Sequence, residues 1–343
     1  AVMDRALALA DREGFPARRA ASEARGLLRG FGFACSIESA GNPSRGEQAR
    51  LKLREDGSVA FTVGTHSHGQ GHETAFRQLL ADALGMGMGA IDFRQGDTDA
   101  LASGGGTAGS RSSAVGGGAA RLAAATLVEK ATAVAAEALE IAPEDVEFED
   151  GRFRIAGADR SVGWREVAKR AAAQDMLAAL DVVEDYSVKA SAFPNSCAVA
   201  EVEIDPETGR AALVGYAAVG DYGTVLNPML LEGQIHGGVA QGAGQILMEE
   251  VRLDPETGQP ITGSFMDYAM PRAADLPMFR VDTLPTETDA NIVGAKGAGE
   301  AGCVAALPAV MNAARDALVP LGVRDLAMPL TPVNVWKAIR AAG

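Results

Sequence analysis

Around residue 50 the chain begins to alternate. "ARLKLREDGSVAFTVGT" places apolar and polar residues in turn about Asp56 and Gly57, the pattern of a hairpin. The period then lengthens: Phe76, Leu79, Leu80, Ala83 and Leu84 keep helical spacing, so a Gly-rich bend joins strand to helix. The second half repeats this logic. "CAVAEVEIDPETGRAALVGYAAVGDYG" reads as a hairpin around "DPETG", followed by a bend and the helix-like "LLEGQIHGGVAQGAGQILMEE". Each half continues with one more strand, "IDFRQGD" and "FRVDTLP", and with a Gly-rich segment that runs into a helix, "SGGGTAGSRSSAVGGGAARLAAATLVEKA" and "VGAKGAGEAGCVAALPAVMNAARDAL". The opening 30 residues read as helix, "GFGFACSIESAG" as a strand and loop, and "DRSVGWREVAKRA" as a short helix between the halves. The expectation is an α+β fold of duplicated two-layer units, each a mixed β-sheet covered by helices. Its divisions are 1–40 for the N-terminal helix and lead-in strand, 41–180 for the first unit and 181–343 for the second. The boundary is expected within 175–190.

Composition narrows the function. At 343 residues and 47% hydrophobic, the chain is long enough for two ordinary cores. Its 31 basic against 45 acidic residues give a net charge of −14, which repels the phosphates of nucleic acid and of anionic membranes. Cys35, Cys197 and Cys303 are far apart with no Cys-x-x-Cys, so neither a disulfide framework nor an iron–sulfur site is expected, and a reducing cytoplasm fits. The charged start lacks the apolar core of a signal peptide, and Glu129 and Lys130 interrupt the longest apolar run, so no membrane span is expected. Without an initiator Met, the chain is expected to be processed or part of a longer one.

Chemistry concentrates in four glycine-rich segments, 69–71, 104–109, 237–244 and 294–299, each read as a loop-to-helix junction. A helix N-terminus leaves N–H groups unpaired, and glycine lets a ligand approach the main chain. "TAGSRSS" adds the hydroxyls of Thr107, Ser110, Ser112 and Ser113 beside Arg111, suited to a pyrophosphate or equally to an ordinary capped helix start. In "GAKGAGEAG", Glu300 follows a run of small residues, either as a general base held into a pocket or as a carboxylate favoured at a helix N-terminus. Cys303 reads first as a small buried residue. "GTHSHGQGHET" holds His66, His68 and His72. A His-x-His pair on a strand shares one face, as in metal-dependent hydrolases. Further ligands would be needed, yet His236 is the only other histidine and glycines surround it.

"GQGHET", "GGGTAGSRSS", "NPMLLEGQIHGGVAQGAGQ" and "VGAKGAGE", in this order, resemble the molybdenum hydroxylases. This family holds the xanthine dehydrogenases, the aldehyde oxidoreductases and the large subunit of aerobic carbon monoxide dehydrogenases. The resemblance covers essentially the whole chain, which corresponds to the C-terminal half of the molybdopterin-binding subunit. It implies that Gly69, Gln70, Gly71 and His72 lie against a molybdopterin, in its cytosine dinucleotide form, and that Gln241 approaches the metal-bearing end. Thr107, Gly109, Ser110, Arg111 and Ser112 would hold the dinucleotide tail, with Lys296, Gly297 and Gly299 lining the last loop. Molybdenum is carried by the pterin's sulfurs, so no protein metal ligand is implied and the histidines become neighbours of an organic cofactor. Glu300 is implied as the base while an aldehyde, an N-heterocycle or a related small substrate gains oxygen derived from water. Electrons would leave through Fe–S clusters and FAD on partner subunits, because this chain has neither the cysteines nor a recognisable flavin segment. The N-terminal half of the subunit would be a separate chain or a missing segment, and the oxidoreductase would be incomplete without it. After Glu300 comes "AGC" where better-known members often continue with a proline, so their substrate pocket does not transfer. A hydrolase using His66 and His68, and a cofactor-free scaffold subunit, are the competing readings.

Overall fold

A computed structural model of the protein describes residues 1–342. Its first sheet grows from the hairpin of β2 (Glu47–Leu53) and β3 (Val59–Val63). Ala49, Leu51 and Leu53 pair with Val63, Phe61 and Val59, and all six are buried on one face. Asp56 accepts from the Ser58 N–H at 2.9 Å and Gly57 takes φ +87°, which closes the turn. α3 (His72–Leu84) crosses over to β4 (Ile91–Gln95), which runs parallel to β3. α4 (Gly117–Leu139) packs beside α3 over the same face, where its alanines let it lie close to the strands. A small sheet of β5 (Val146–Glu149), β6 (Arg152–Ile155) and β7 (Ser161–Gly163) leads to α5 (Trp164–Ala173), and Trp164 Nε1 donates to the Leu84 carbonyl at 2.7 Å.

β8 (Asp181–Tyr186) pairs antiparallel with β2, so the first sheet runs β4-β3-β2-β8. The second sheet has the same plan. β9 (Asn195–Ile204) and β10 (Ala211–Asp221) form the hairpin, α6 (Pro228–Leu247) crosses over to β11 (Phe279–Thr283) parallel to β10, and α7 (Ala301–Leu318) covers the strands. Its edge strand is β1 (Leu28–Ile37), antiparallel to β9, giving the order β1-β9-β10-β11. The duplication expected from the sequence is present, but the edge strands are exchanged. β1 belongs to the second sheet, and β8, placed after the 180/181 division, belongs to the first.

Of the N-terminal 30 residues, those up to Glu23 form two helices rather than one, and β1 has already begun at Leu28. α1 (Val2–Leu9) and α2 (Phe15–Glu23) are broken where Asp11 takes φ 52° and accepts from the Gly14 N–H, just before Pro16. α1 covers the second sheet's outer face, with Ala6 and Ala10 against Cys197, Val199, Ala217 and Val219. β9 is therefore buried on both faces, which is why it reads as a nearly continuous small apolar run. α7 presses closely on β1, since a Cβ on Gly30 would stand 1.9 Å from the Ala313 carbonyl oxygen. By length and hydropathy α7 could cross a membrane, but its buried alanines lie between β1, β9 and α6. α8 (Pro332–Ala342) closes the chain. Between α6 and β11, residues 249–278 form no longer element than one short 3-10 turn.

Glycines 237–244 do not form a loop. They lie inside α6, where Gly238 and Gly242 face α7, and a Cβ on either would come within 3 Å of its backbone. Gly238 and Gly242 thus serve helix–helix contact.

Candidate functional site

Four chain segments converge on one cavity of about 460 Å³. They are the bend between β3 and α3, the segment 107–113 ahead of α4, residues 222–234 from the end of β10 into α6, and the segment 295–300 ahead of α7. Each carries a strand end or loop into a helix, so backbone N–H groups and the positive ends of helix dipoles gather here. α3 begins at Gly71 (φ +81°) with no side-chain cap, and α7 begins at Glu300 likewise. α6 is capped by Asn227, whose side chain accepts from the Leu230 N–H at 2.9 Å.

The first two segments are zipped together. The Thr107 N–H donates to His66 Nδ1 at 3.0 Å, Thr107 Oγ1 donates to the His66 carbonyl at 2.7 Å, and Thr107 and Ser112 share a hydroxyl bond of 3.0 Å. His72 is buried beneath, with Nδ1 3.0 Å from Gln95 Nε2. The amide donates there, so the neutral ring carries its proton on Nε2, and burial holds its pKa below 6.5. His66 and His72 thus each have a ring nitrogen engaged in holding the loop. No group of three His, Cys, Asp or Glu side chains among the described residues could hold a metal ion. The His-x-His hydrolase arrangement expected as the rival is not formed.

Thr107, Gly109, Ser110 and Ser112 line the cavity together with Gln70, His72, Gly297, Gly299 and Glu300. Gly69 and Gly71 support the bend without lining it; a Cβ on Gly71 would stand 2.6 Å from Leu230 Cδ2, whereas Gly69 faces open space at φ +101°. Three expected ligand residues point elsewhere. Arg111 is buried, paired with Glu47 at 2.6 Å and bonded to the carbonyls of Arg45, Gly46 and Gly106. Lys296 is buried on Asp221 at 2.6 Å and on Thr286. Burial works to raise the Asp221 pKa, but the Lys296 and Thr286 hydrogen bonds outweigh it and hold the carboxyl at about 2. Both cations therefore pin loops in place rather than facing the cavity. Gln241 lies exposed on α6 and does not line it; Gln234, two turns earlier, does, and donates to the Gly299 carbonyl at 3.1 Å.

Glu300 opens into the cavity. Ser110, held at φ 51° in the left-handed region, donates its hydroxyl to Glu300 Oε2 at 2.5 Å and accepts from the Glu300 N–H at 3.2 Å. Burial acts to raise the Glu300 pKa, yet hydrogen bonds from Ser110, Glu38 and the Gly109 backbone bring it below 4.5. Glu38 is a site residue that sequence reasoning missed. Burial, with the neighbouring charge of Glu300 adding to it, raises its pKa to about 7 against the lowering effect of Ser110. The one available signal was a lone carboxylate ending the alternating strand in "SIESAG".

The chain matches the family described as molybdopterin cofactor-binding domain over residues 5–277. It is 37% identical over 300 residues to the 6-hydroxypseudooxynicotine dehydrogenase complex subunit gamma of Paenarthrobacter nicotinovorans, covering 84% of this chain and 37% of that protein. To the carbon monoxide dehydrogenase large chain of Afipia carboxidovorans it is 33% identical over 297 residues, covering 85% and 36%. The solved quinoline 2-oxidoreductase of Pseudomonas putida 86 superimposes with a TM-score of 0.91 at 33% identity, over 99% of this chain and 45% of that one. The chain spans less than half the length of these relatives. It belongs to the molybdopterin cofactor-binding domain family, whose members include the large subunits of molybdenum hydroxylases.

Proposed function

We propose that this chain is the part of a molybdenum hydroxylase that holds the cofactor and supplies the proton acceptor, Glu300. The observation carrying this reading is the placement of Glu300: a carboxylate at the uncapped start of α7, facing a cavity walled by three further chain-to-helix junctions. The cavity, of about 460 Å³, offers backbone and neutral polar side chains to a group bound there. Gly109 takes positive φ with open space where a Cβ would be, leaving bare backbone for close approach, and Ser112, Ser113, Gln70 and Gln234 offer hydroxyls and amides. Gln70 and His72 would hold the pterin. Thr107, Gly109, Ser110 and Ser112 would hold the tail of a cytosine dinucleotide form, and Gly297 and Gly299 would bring the last loop against it.

When bound, the molybdenum cofactor supplies the two-electron chemistry that moves water-derived oxygen onto an electron-poor carbon. The chain's own contribution is proton handling. Glu300 is kept ionised below 4.5 by donors that also fix its orientation, so it can accept a proton at Oε1 or Oε2 without first losing one. The substrate class follows the relatives: aldehydes, N-heterocycles or comparably small electron-poor molecules. The rest of the subunit, an Fe–S subunit and an FAD subunit complete the enzyme, in the cytoplasm. The exposed apolar residues of 251–278 form the surface on which the rest of the subunit would sit.

Elemental analysis with nucleotide release on the complex purified from its native host tests this. Molybdenum near one per chain with a released cytosine nucleotide is expected; zinc without molybdenum would overturn the reading. Glu300→Gln should leave cofactor content intact and remove turnover, a loss on the order of 10²–10⁴-fold for a positioned general base. Retained turnover would take Glu300 out of this role.

A further inference from the structure

The end of β1 is fastened to both halves of the Glu300 pocket. The Glu38 N–H donates to the Pro194 carbonyl at 3.0 Å, and Ala40 exchanges backbone hydrogen bonds with Ala192 at 2.8 and 3.0 Å. The Gly41 N–H reaches the Gly109 carbonyl at 3.4 Å, one residue before Ser110. Ala40 Cβ lies 3.0 Å from where a Cβ on Gly297 would stand, and the Gly297 Cβ would also meet the Ser110 carbonyl. Glu38 is thereby delivered against Ser110 and Glu300 from an element 260 residues away in sequence.

Both carboxylate oxygens of Glu38 are buried and have no hydrogen-bond donor. Ser110 and Glu300 act on them directly, and their charge is felt by the buried Tyr222 hydroxyl, whose pKa it helps to raise. Ser110 has one hydroxyl proton, and it goes to Glu300 Oε2. Among the described residues no cation acts on the pair: Lys296 is bound to Asp221, and Arg111 to Glu47. A buried carboxylate with neither cation nor donor keeps its own proton, and the acceptor beside it is the ionised Glu300.

We propose that the proton acceptor of this site is the pair Glu38–Glu300, in which Glu300 meets the reacting molecule and Glu38 is the positioning residue that holds and tunes it. The pair passes through two steps. With one proton, Glu38 donates to Glu300 and fixes its orientation. With none, two like charges face each other, and a proton arriving at Glu300 relieves the repulsion. The unprotonated pair is then a base whose conjugate acid releases its proton near 7, matched to neutral pH, where a lone carboxylate would be far weaker. The catalytic meaning of the pair rests on the hydroxylase reading; the pairing itself does not.

Two measurements separate them. In the full chain labelled with ¹³C at glutamate Cδ, carboxyl NMR titration should show one glutamate with a midpoint near 7. That signal should vanish in Glu38→Gln and move to lower pH in Glu300→Gln. Absence of such a glutamate in the wild type, or a midpoint unmoved by Glu300→Gln, overturns the pair. In the cofactor-loaded complex, the acid limb of kcat/KM should fall from near 7 toward the ordinary carboxylate value of 4.5 in Glu38→Gln, with cofactor content unchanged. A limb that stays in place while kcat/KM drops would make Glu38 merely structural and overturn the proposal. Should the wild-type complex contain no molybdenum, the hydroxylase reading fails and the titration alone decides the pair.

Discussion

Arg111 and Lys296 carry the same lesson at the scale of single residues. Each sits in a glycine-rich segment with hydroxyls or a carboxylate nearby, which in sequence looks like an anion site. Each is in fact paired with a buried carboxylate, Glu47 or Asp221, 64 or 75 positions away. Sequence reveals residue type and neighbours along the chain, but not the distant partner that claims the charge. Ser110 and Glu300 were singled out by their own local settings, but that they meet across 190 positions at the cavity is again a matter of the fold. Arg111→Met would leave Glu47 charged and buried with its strongest partner gone, and should cost roughly 3–5 kcal/mol of unfolding free energy. Urea denaturation of the full chain measures this. A variant of unchanged stability but weakened cofactor retention would return Arg111 to the role of an anion ligand.

Elements show a different division. Both hairpins were legible because a period-2 pattern and its turn residues are local: Asp56–Gly57 in one, Asp205 to Gly209 in the other. The exchange of edge strands was not, since β1 and β8 find their partners across more than 100 residues. α6 was half legible. Ile235, Gly238, Val239, Gly242, Ala243 and Ile246 form one buried helical stripe, but two of its members are glycines, and glycine was read as loop. The stripe is small because α7 lies on it. A Cβ on Gly302 would stand 2.4 Å from the Ile235 carbonyl oxygen, which belongs to backbone and cannot rotate aside. Gly302→Ala should therefore push α6 and α7 apart, costing about 1–3 kcal/mol as an overpacked contact. Because Glu300 is two residues away at the head of α7, turnover of the assembled enzyme should fall more than thermal stability would suggest. A melting curve beside a kcat measurement distinguishes this from general destabilisation, which would lower folded fraction and leave kcat per folded molecule intact.

On the whole molecule, charge and apolar surface are distributed unequally. The net charge of −14 argues against nucleic acid and anionic membranes, and on the first sheet Arg50, Arg54 and Arg94 are tied to Asp181 and Asp92. Apolar exposure instead concentrates between α6 and β11, where Phe265 is 81% exposed, Met266 93% and Met278 87%. Single exposed apolar residues are ordinary, but this many on one irregular excursion are what the proposed contact with the rest of the subunit would cover. The chain accounts for only 37% of one relative and 45% of another, so more than half of such a subunit is available to cover it. Since the excursion contributes little to the two cores, charging it should leave the chain folded. Phe265→Asp with Met266→Lys should change the unfolding free energy of the chain by no more than about 0.5 kcal/mol, as for surface substitutions generally. Association with the remaining portion of the subunit should weaken at least tenfold, about 1.4 kcal/mol, because two buried anchors would become unpaired charges at an apolar contact. Urea denaturation of the chain alone reads the first quantity, and analytical ultracentrifugation of the two portions mixed together reads the second. Unchanged association would move the covering surface elsewhere, whereas a lost urea transition would show that the excursion belongs to the core of the chain itself.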